Sequence, residues 1–243
     1  MERNDNRYIE VLDDGTEILK NDRNLEVMLS IITNFGCHYK CPYCIVKNND
    51  LHVPETTIEG LENLEKYIIE YKNRTVTVSG GGDPFFKLDD NLEWFLKLHN
   101  ILDKTNNKLQ IHTSYINHDY PFCDKVERIC YHANFLSQIP KIKRRNNEKI
   151  RLVFVVEPSF TKETIDEIVR LKKENPDIDE LSFRQFIDSN YNTHYIEHKY
   201  LLEGHGKDWF YIEQEDYNLY YAENNIYNSY KAIGNWKNLK EEF

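Results

Sequence analysis

Nowhere in the 243 residues is there a run approaching the roughly 20 uncharged apolar residues that a membrane span needs. The opening stretch, Met1 to Asn6, has no apolar core of the kind a secretory signal carries, so a cytoplasmic protein is expected. Basic side chains are also in deficit. Thirty-one Lys and Arg face forty-one Asp and Glu, and the net charge of -10 repels a phosphate backbone, which argues against a nucleic acid polymer as the main partner. There is no internal repeat and no Gly/Ser- or Pro-rich linker, so nothing marks a boundary before about residue 188. A disulfide framework is missing too: five cysteines are an odd number, and three of them fall within eight residues. What remains is a composition of 40% hydrophobic, 13% aromatic and 30% charged residues, the mixture of a folded chain large enough to bury a core.

Apolar runs of strand length alternate with longer stretches of helical spacing. Residues 8–12 and 16–19 flank a Gly-containing turn and predict a small leading hairpin. Strands are expected at 27–33, 75–79, 109–114, 135–139, 150–156 and 181–187, and helices at 57–72, 88–102, 121–131 and 161–174. Strand-then-helix order implies a parallel sheet, open or closed wholly or partly into a barrel, with working residues at the carboxyl ends of the strands. The fourth connection, 141–149, is too short and too charged for a full crossover helix and is expected to be abbreviated. After Asp188 come nine of the seventeen tyrosines, with Trp209 and Trp236. So aromatic a segment is expected to pack on the main unit as a cap.

The sharpest local signal is Cys37-His38-Tyr39-Lys40-Cys41-Pro42-Tyr43-Cys44, directly after the first expected strand. Three thiolates in so tight a loop suit a 4Fe-4S cluster with one iron open to a ligand. Structural zinc, with His38 or a distant histidine completing a Cys3His site, and three unligated core cysteines are the competing readings. A second element, Gly80-Gly81-Gly82-Asp83-Pro84, follows the second expected strand. Consecutive glycines permit close approach of a ligand, and a carboxylate can accept hydrogen bonds from an ammonium group.

The two elements together resemble the radical S-adenosylmethionine enzymes, whose CxxxCxxC signature carries an aromatic residue before its last cysteine. A Gly-Gly-Glu-Pro element ends their second strand, and here Asp83 stands where that family has Glu. The resemblance covers about residues 27 to 188. It implies an α/β fold, a partial (β/α)6 TIM-type barrel, with a hairpin extension at 1–26 and a capping extension at 189–243. It also implies one 4Fe-4S cluster on Cys37, Cys41 and Cys44, with S-adenosylmethionine on the fourth iron. Gly81, Gly82 and Asp83 would then orient the methionyl ammonium, and the Tyr43 backbone would lie against the adenine. Ser137 is placed by the same analogy for the ribose or carboxylate, and Arg184 for the methionyl carboxylate. Reductive cleavage would give a 5'-deoxyadenosyl radical that abstracts hydrogen from substrate.

Other strand-end residues, Thr113, Ser114, Glu157 and Gln185, are candidates to face the cavity. Cys123 and Cys130 read as buried small apolar residues. His194 and His198 have i, i+4 spacing but no intervening zincin-type Glu, and read as a solvated helix face. The basic run Lys141, Lys143, Arg144, Arg145 and Lys149 reads as a solvated loop or a docking patch for an acidic electron donor such as a flavodoxin. Three functions follow: a radical enzyme acting on a small molecule such as a nucleobase or nucleotide derivative; an activase installing a glycyl radical on a partner protein; or a zinc-bearing binding module. The first is favoured, because an aromatic cap suits a flat, enclosed substrate.

Overall fold

The computed structural model describes residues 8–13, 15, 17–20, 28–48, 51–54, 56–71, 74–213 and 218–233. Two short strands, β1 (Tyr8–Val11) and β2 (Glu17–Lys20), pair antiparallel as a separate hairpin. The main sheet begins at β3 (Leu29–Ile32) and continues through β4 (Thr75–Ser79), β5 (Lys108–Thr113), β6 (Val126–His132), β7 (Lys149–Val156) and β8 (Glu180–Ile187). These six strands lie side by side in chain order, each parallel to the last. The arrangement is a partial TIM-type barrel that does not close.

Helices cover the outer face where apolar spacing demands it. After a short α1 (Ile45–Asn48), helix α2 (Ile58–Ile68) is capped by the Thr57 side chain, which accepts from the Gly60 N–H, and buries Leu61, Leu64 and Ile68. Helix α3 (Leu92–Thr105) buries Trp94, Phe95 and Leu98 and stops at Asn106, whose φ is 51°. Helix α4 (Lys162–Glu174) starts on the Thr161 cap. These side chains join Leu29, Ile31, Val76, Val78, Leu109 and Ile111 in one core on the helix side of the sheet. Alternation along the strands sends Ser30, Thr77, Gln110, His112, Arg128 and Ser182 to the opposite, concave face, where they are buried as polar groups. A buried polar face is a chamber that side-chain hydrogen bonds must satisfy.

Two expected elements are corrected. Residues 121–131 do not form a helix: a single 3-10 turn at Cys123–Lys125 leads into β6. Val126, Ile129 and Cys130 imitate helical spacing, but Arg128 and Tyr131 are buried as well, and consecutive burial belongs to a strand covered on both faces. Residues 135–139 are not a strand, because Leu136–Lys141 is a 3-10 helix with Pro140 inside it. That turn is the abbreviated fourth crossover, and the third crossover also lacks an α-helix.

The segment after Asp188 does more than cap the unit. Strand β9 (Thr193–His194) pairs antiparallel with β8, and α5 (His198–Gly204) leads to β10 (Phe210–Ile212), which extends the sheet parallel to β8. At the other edge β11 (Leu219–Ala222) lies parallel to β3, and β12 (Asn225–Tyr227) folds back on β11. Tyr221 and Tyr211 are fully buried by this pairing. Trp209 is buried and donates its Nε1–H to the Leu201 carbonyl at 2.8 Å. Trp236 lies outside the described residues.

Candidate functional site

The loop that leaves β3 carries the three cysteines, and the loop that leaves β4 lies directly on it. The Asp83 N–H donates to the Gly36 carbonyl at 2.8 Å. A Cβ on Gly82 would stand 2.2 Å from the Gly36 carbonyl oxygen, and one on Gly81, where φ is +68°, would stand 2.3 Å from that of Thr33. The glycines are therefore needed for two backbones to touch. Only a bare backbone at 81 and 82 lets the two loops share a wall.

Cys37, Cys41 and Cys44 are free thiols, all partly buried, and all three line one cavity of about 300 Å3. The cysteine loop is braced from within: Cys44 N–H donates to the Cys41 carbonyl at 3.1 Å and Asn48 N–H to the Cys44 carbonyl at 2.9 Å. Lys47 on α1 donates to the carbonyls of Tyr39 and Cys37. Burial pushes the Cys37 and Cys41 thiols above the ordinary value of 9.0, with Lys47 opposing the rise at Cys37. Free of metal these thiols hold their protons, so metal binding at this loop must release them.

Among the described residues no three His, Cys, Asp or Glu side chains approach closely enough to hold a single metal ion. Thiolates sharing one zinc ion must lie within about 4.6 Å of each other, twice the Zn–S bond of about 2.3 Å. A multi-iron cluster spans a wider set of sulfurs and needs no fourth protein ligand for an open iron. The three thiols around a roomy cavity fit a cluster better than an ion. His38 packs its ring against Tyr39 and Tyr115, with centroids 4.1 and 4.3 Å away.

Asp83, expected from the sequence to meet a ligand ammonium, lines the same cavity, and its carboxylate is also hydrogen-bonded within the protein. It is 4% exposed. Its Oδ1 accepts from the Thr113 hydroxyl at 2.8 Å and the Phe85 N–H at 2.9 Å, and its Oδ2 accepts from the Ser114 N–H at 2.7 Å. Two of these hydrogen bonds tie the β4 loop to the end of β5, and the third, from Phe85, closes the loop on itself. Thr113 and Ser114, two other strand-end candidates, are the partners in that tie and also line the cavity.

Ser137 sits on the exposed 3-10 turn after β6, away from the lining of the cavity; the strand that was to aim it inward is β6, which ends at His132. Tyr43 lines the cavity, and its hydroxyl donates to Asn134 Oδ1. Arg184 lies on β8 and lines a second cavity of about 210 Å3. The two cavities share Tyr43, Ile45, Ser79, Gly80, His132 and Tyr230, so they adjoin. Tyr191 and Tyr220 complete an aromatic wall on the second. Gln185 lines it as well, whereas Glu157 follows β7 with its carboxyl pushed up by burial.

Sequence reasoning missed His112, His132 and Tyr230. His132 fell outside every expected strand because β6 was read as a helix, and His112 lies one residue before the Thr113 that was named. Tyr230 carried no signal at all; its hydroxyl accepts from the Gly81 N–H at 3.3 Å across 149 residues of chain. His194 and His198 occupy different elements and different carboxylates, Asp188 and Glu213 respectively, so they do not share a helix face. In the basic run, Lys143 and Arg144 pair with Asp177 and Asp179, and Arg145 donates to the Asn117 carbonyl. Cys130 is buried, as expected. Nothing is described of the Cys123 side chain.

No protein-family model and no curated protein matches the sequence. Solved structures do match. Streptococcus suis SuiB bound to S-adenosylmethionine superposes with a TM-score of 0.52 at 15% identity, over 81% of this chain and 48% of that one. SuiB bound to its precursor peptide SuiA gives a TM-score of 0.52 at 15% identity, over 79% of this chain and 50% of that one. The chain thus spans about half the length of SuiB, and at this identity the likeness is one of fold.

Proposed function

We infer that a chain with the fold of the radical S-adenosylmethionine enzymes and their three-cysteine loop at the carboxyl end of the first barrel strand is an enzyme of that class. The observation that carries the reading is the convergence of Cys37, Cys41, Cys44 and the Gly80–Asp83 loop on one cavity. The three cysteines would hold a 4Fe-4S cluster, and the bare backbone of Gly81 and Gly82 would form the wall against which S-adenosylmethionine binds. When bound, these groups supply reductive cleavage of the sulfonium bond and a 5'-deoxyadenosyl radical that takes a hydrogen atom from substrate.

The chain's own contribution is placement and exclusion of water. Asp83 holds the β4 loop against β5, Tyr43 and Tyr230 wall the boundary between the two cavities, and Lys47 fixes the carbonyls of the cysteine loop. The adjoining cavity of about 210 Å3 supports a small-molecule substrate or a single side chain. Arg184 faces that cavity, which favours a group on the substrate over the methionyl carboxylate as its partner. A second reading, a peptide substrate, draws support from SuiB, whose structure was solved with the precursor peptide SuiA.

The test is anaerobic purification and cluster reconstitution, then reduction with dithionite and chromatography for 5'-deoxyadenosine after adding S-adenosylmethionine. About four irons per chain are expected, with deoxyadenosine formed by the wild type and absent in Cys41→Ala. Zinc in place of iron, with the cofactor uncleaved, would overturn the reading and leave a metal-bearing binding protein. A flavodoxin as reductant is tested by replacing dithionite with reduced flavodoxin: charge reversal at Lys141 and Lys149 should then slow reduction and leave reduction by dithionite unchanged.

A further inference from the structure

The concave face holds a hydrogen-bonded chain that runs from the bottom of the sheet to the boundary between the cavities. Glu180 on β8 takes Arg128 at 3.2 Å and Arg151 at 2.6 Å. Arg128 Nη1 donates to Gln110 Oε1 at 2.8 Å, Gln110 Nε2 lies 2.6 Å from His112 Nε2, and His112 Nδ1 lies 2.9 Å from His132 Nε2. Its members come from four adjacent strands, β5 to β8, and none belongs to the cysteine loop.

The direction of this chain is fixed at its Arg128 end. A guanidinium has only donors, so the oxygen of the Gln110 amide must face Arg128 and its NH2 must face His112. An amide NH2 donates, so His112 Nε2 accepts, and a neutral His112 then carries its proton on Nδ1. That proton points at His132 Nε2, which accepts in turn, leaving the His132 proton on Nδ1. The opposite direction would set an imidazole N–H against the amide NH2 at 2.6 Å, and turning the amide over would only move the clash to Arg128. In this tautomer the Arg184 guanidinium, 3.4 Å from His112 Nδ1, meets an N–H there and makes no hydrogen bond to it.

We propose that His132 is a specificity-determining hydrogen-bond donor, its proton held on Nδ1 by the relay from Arg128, and that it meets a carbonyl or carboxylate oxygen of the molecule in the second cavity. His132 lines both cavities, and its Nδ1 makes no hydrogen bond to the described residues. That atom is not sealed off in the protein either. Arg184 on the same wall adds a positive charge suited to the same oxygen, and Tyr191, Tyr220 and Tyr230 suit a planar body behind it. Both imidazoles stay neutral: burial, with Arg184 adding to it, pushes His132 down to about 3 and His112 well below its ordinary value. The occupant's being a substrate rests on the radical-enzyme reading; the proton positions do not.

Long-range proton–nitrogen spectra of protein labelled with 15N-histidine read the tautomers directly. At pH 7 both rings should be neutral with Nδ1 protonated. A proton on His132 Nε2, or a charged ring, overturns the proposal. Gln110→Glu places a carboxylate, which only accepts, between Arg128 and His112, and should move the His112 proton to Nε2 and strip His132 Nδ1 of its proton. If that variant fails to fold, the wild-type spectrum decides alone. Benzoate, a planar carboxylate, is the probe for the cavity. It should shift the His132 Nδ1–H resonance saturably, and Arg184→Leu should abolish the response. A flat titration overturns the assigned ligand class. Deoxyadenosine formation by the same preparation reports separately on the radical-enzyme reading, so the two can fail independently.

Discussion

The Thr113 hydroxyl donates to Asp83 Oδ1 at 2.8 Å, and the contact joins the glycine-rich loop after β4 to the last residue of β5. Asp83 is thereby a brace for the site. Its carboxylate also takes the Phe85 and Ser114 N–H groups, so Asp83→Ala would orphan three donors, two of them buried. The expected cost is about 3 kcal/mol of unfolding free energy, since hydrogen bonds to a charged group are worth roughly 1.5–3 kcal/mol and orphaned donors add to the loss. Urea denaturation measures it. A variant of unchanged stability that binds S-adenosylmethionine more weakly would restore Asp83 as a direct ligand of the cofactor.

Gly82→Ala should damage the site more than the fold. Its Cβ would fall 2.2 Å from the Gly36 carbonyl, a backbone atom that cannot rotate away. Overpacking of this kind costs roughly 1–3 kcal/mol, and the loop that must shift is the one bearing Cys37. Far-ultraviolet circular dichroism should stay near that of the wild type while reconstituted iron per chain falls several-fold. Full iron loading would show that the two loops need not touch.

Removal of the chain from about residue 190 should prevent folding. The deleted segment contains β11, which pairs with β3 and buries Tyr221, and β10, which pairs with β8 and buries Tyr211. A detachable cap would instead leave a soluble protein that still cleaves the cofactor. The finer substitution Tyr230→Phe removes one acceptor from the Gly81 N–H, and about 1 kcal/mol is expected from a single neutral hydrogen bond. Solubility and circular dichroism of the truncated chain separate the two outcomes.

Acid should destabilise the protein through its buried histidines. Burial lowers His99 to about 4, with Lys125 adding to the shift while Asp103 and Asp124 oppose it, and burial with Arg184 lowers His132 to about 3. Below pH 6.5 the unfolded chain binds protons that the folded one refuses, so stability falls as pH drops from 6.5 toward those values. Each histidine contributes about 1.4 kcal/mol per pH unit in that window. His99→Gln, retaining a partner for the Tyr120 hydroxyl that lies 2.7 Å from the ring, should flatten the slope between pH 6.5 and 4. An unchanged slope in chemical denaturation would mean that His99 is protonated freely in the folded state.

The sequence by itself determined five of the six barrel strands, the cysteine loop and the glycine loop, because each is written in local terms. The run Thr75 to Ser79 is dominated by β-branched Val and Thr and matches β4 residue for residue; the cysteines and glycines mark loops by spacing and by the lack of a Cβ. The tertiary structure decided what could not be local. Val126 to His132 became a strand because neighbours cover both its faces, and that burial overrode a spacing that imitates a helix. Asp83 became a brace because Thr113 and Ser114 arrive from the next strand with donors to spare, and Tyr230 reached Gly81 because β11 closes on β3. Hydrogen bonds between distant residues depend on which strands end side by side. A linear pattern of residue types records the groups available for such bonds but leaves their partners to the packing of the sheet.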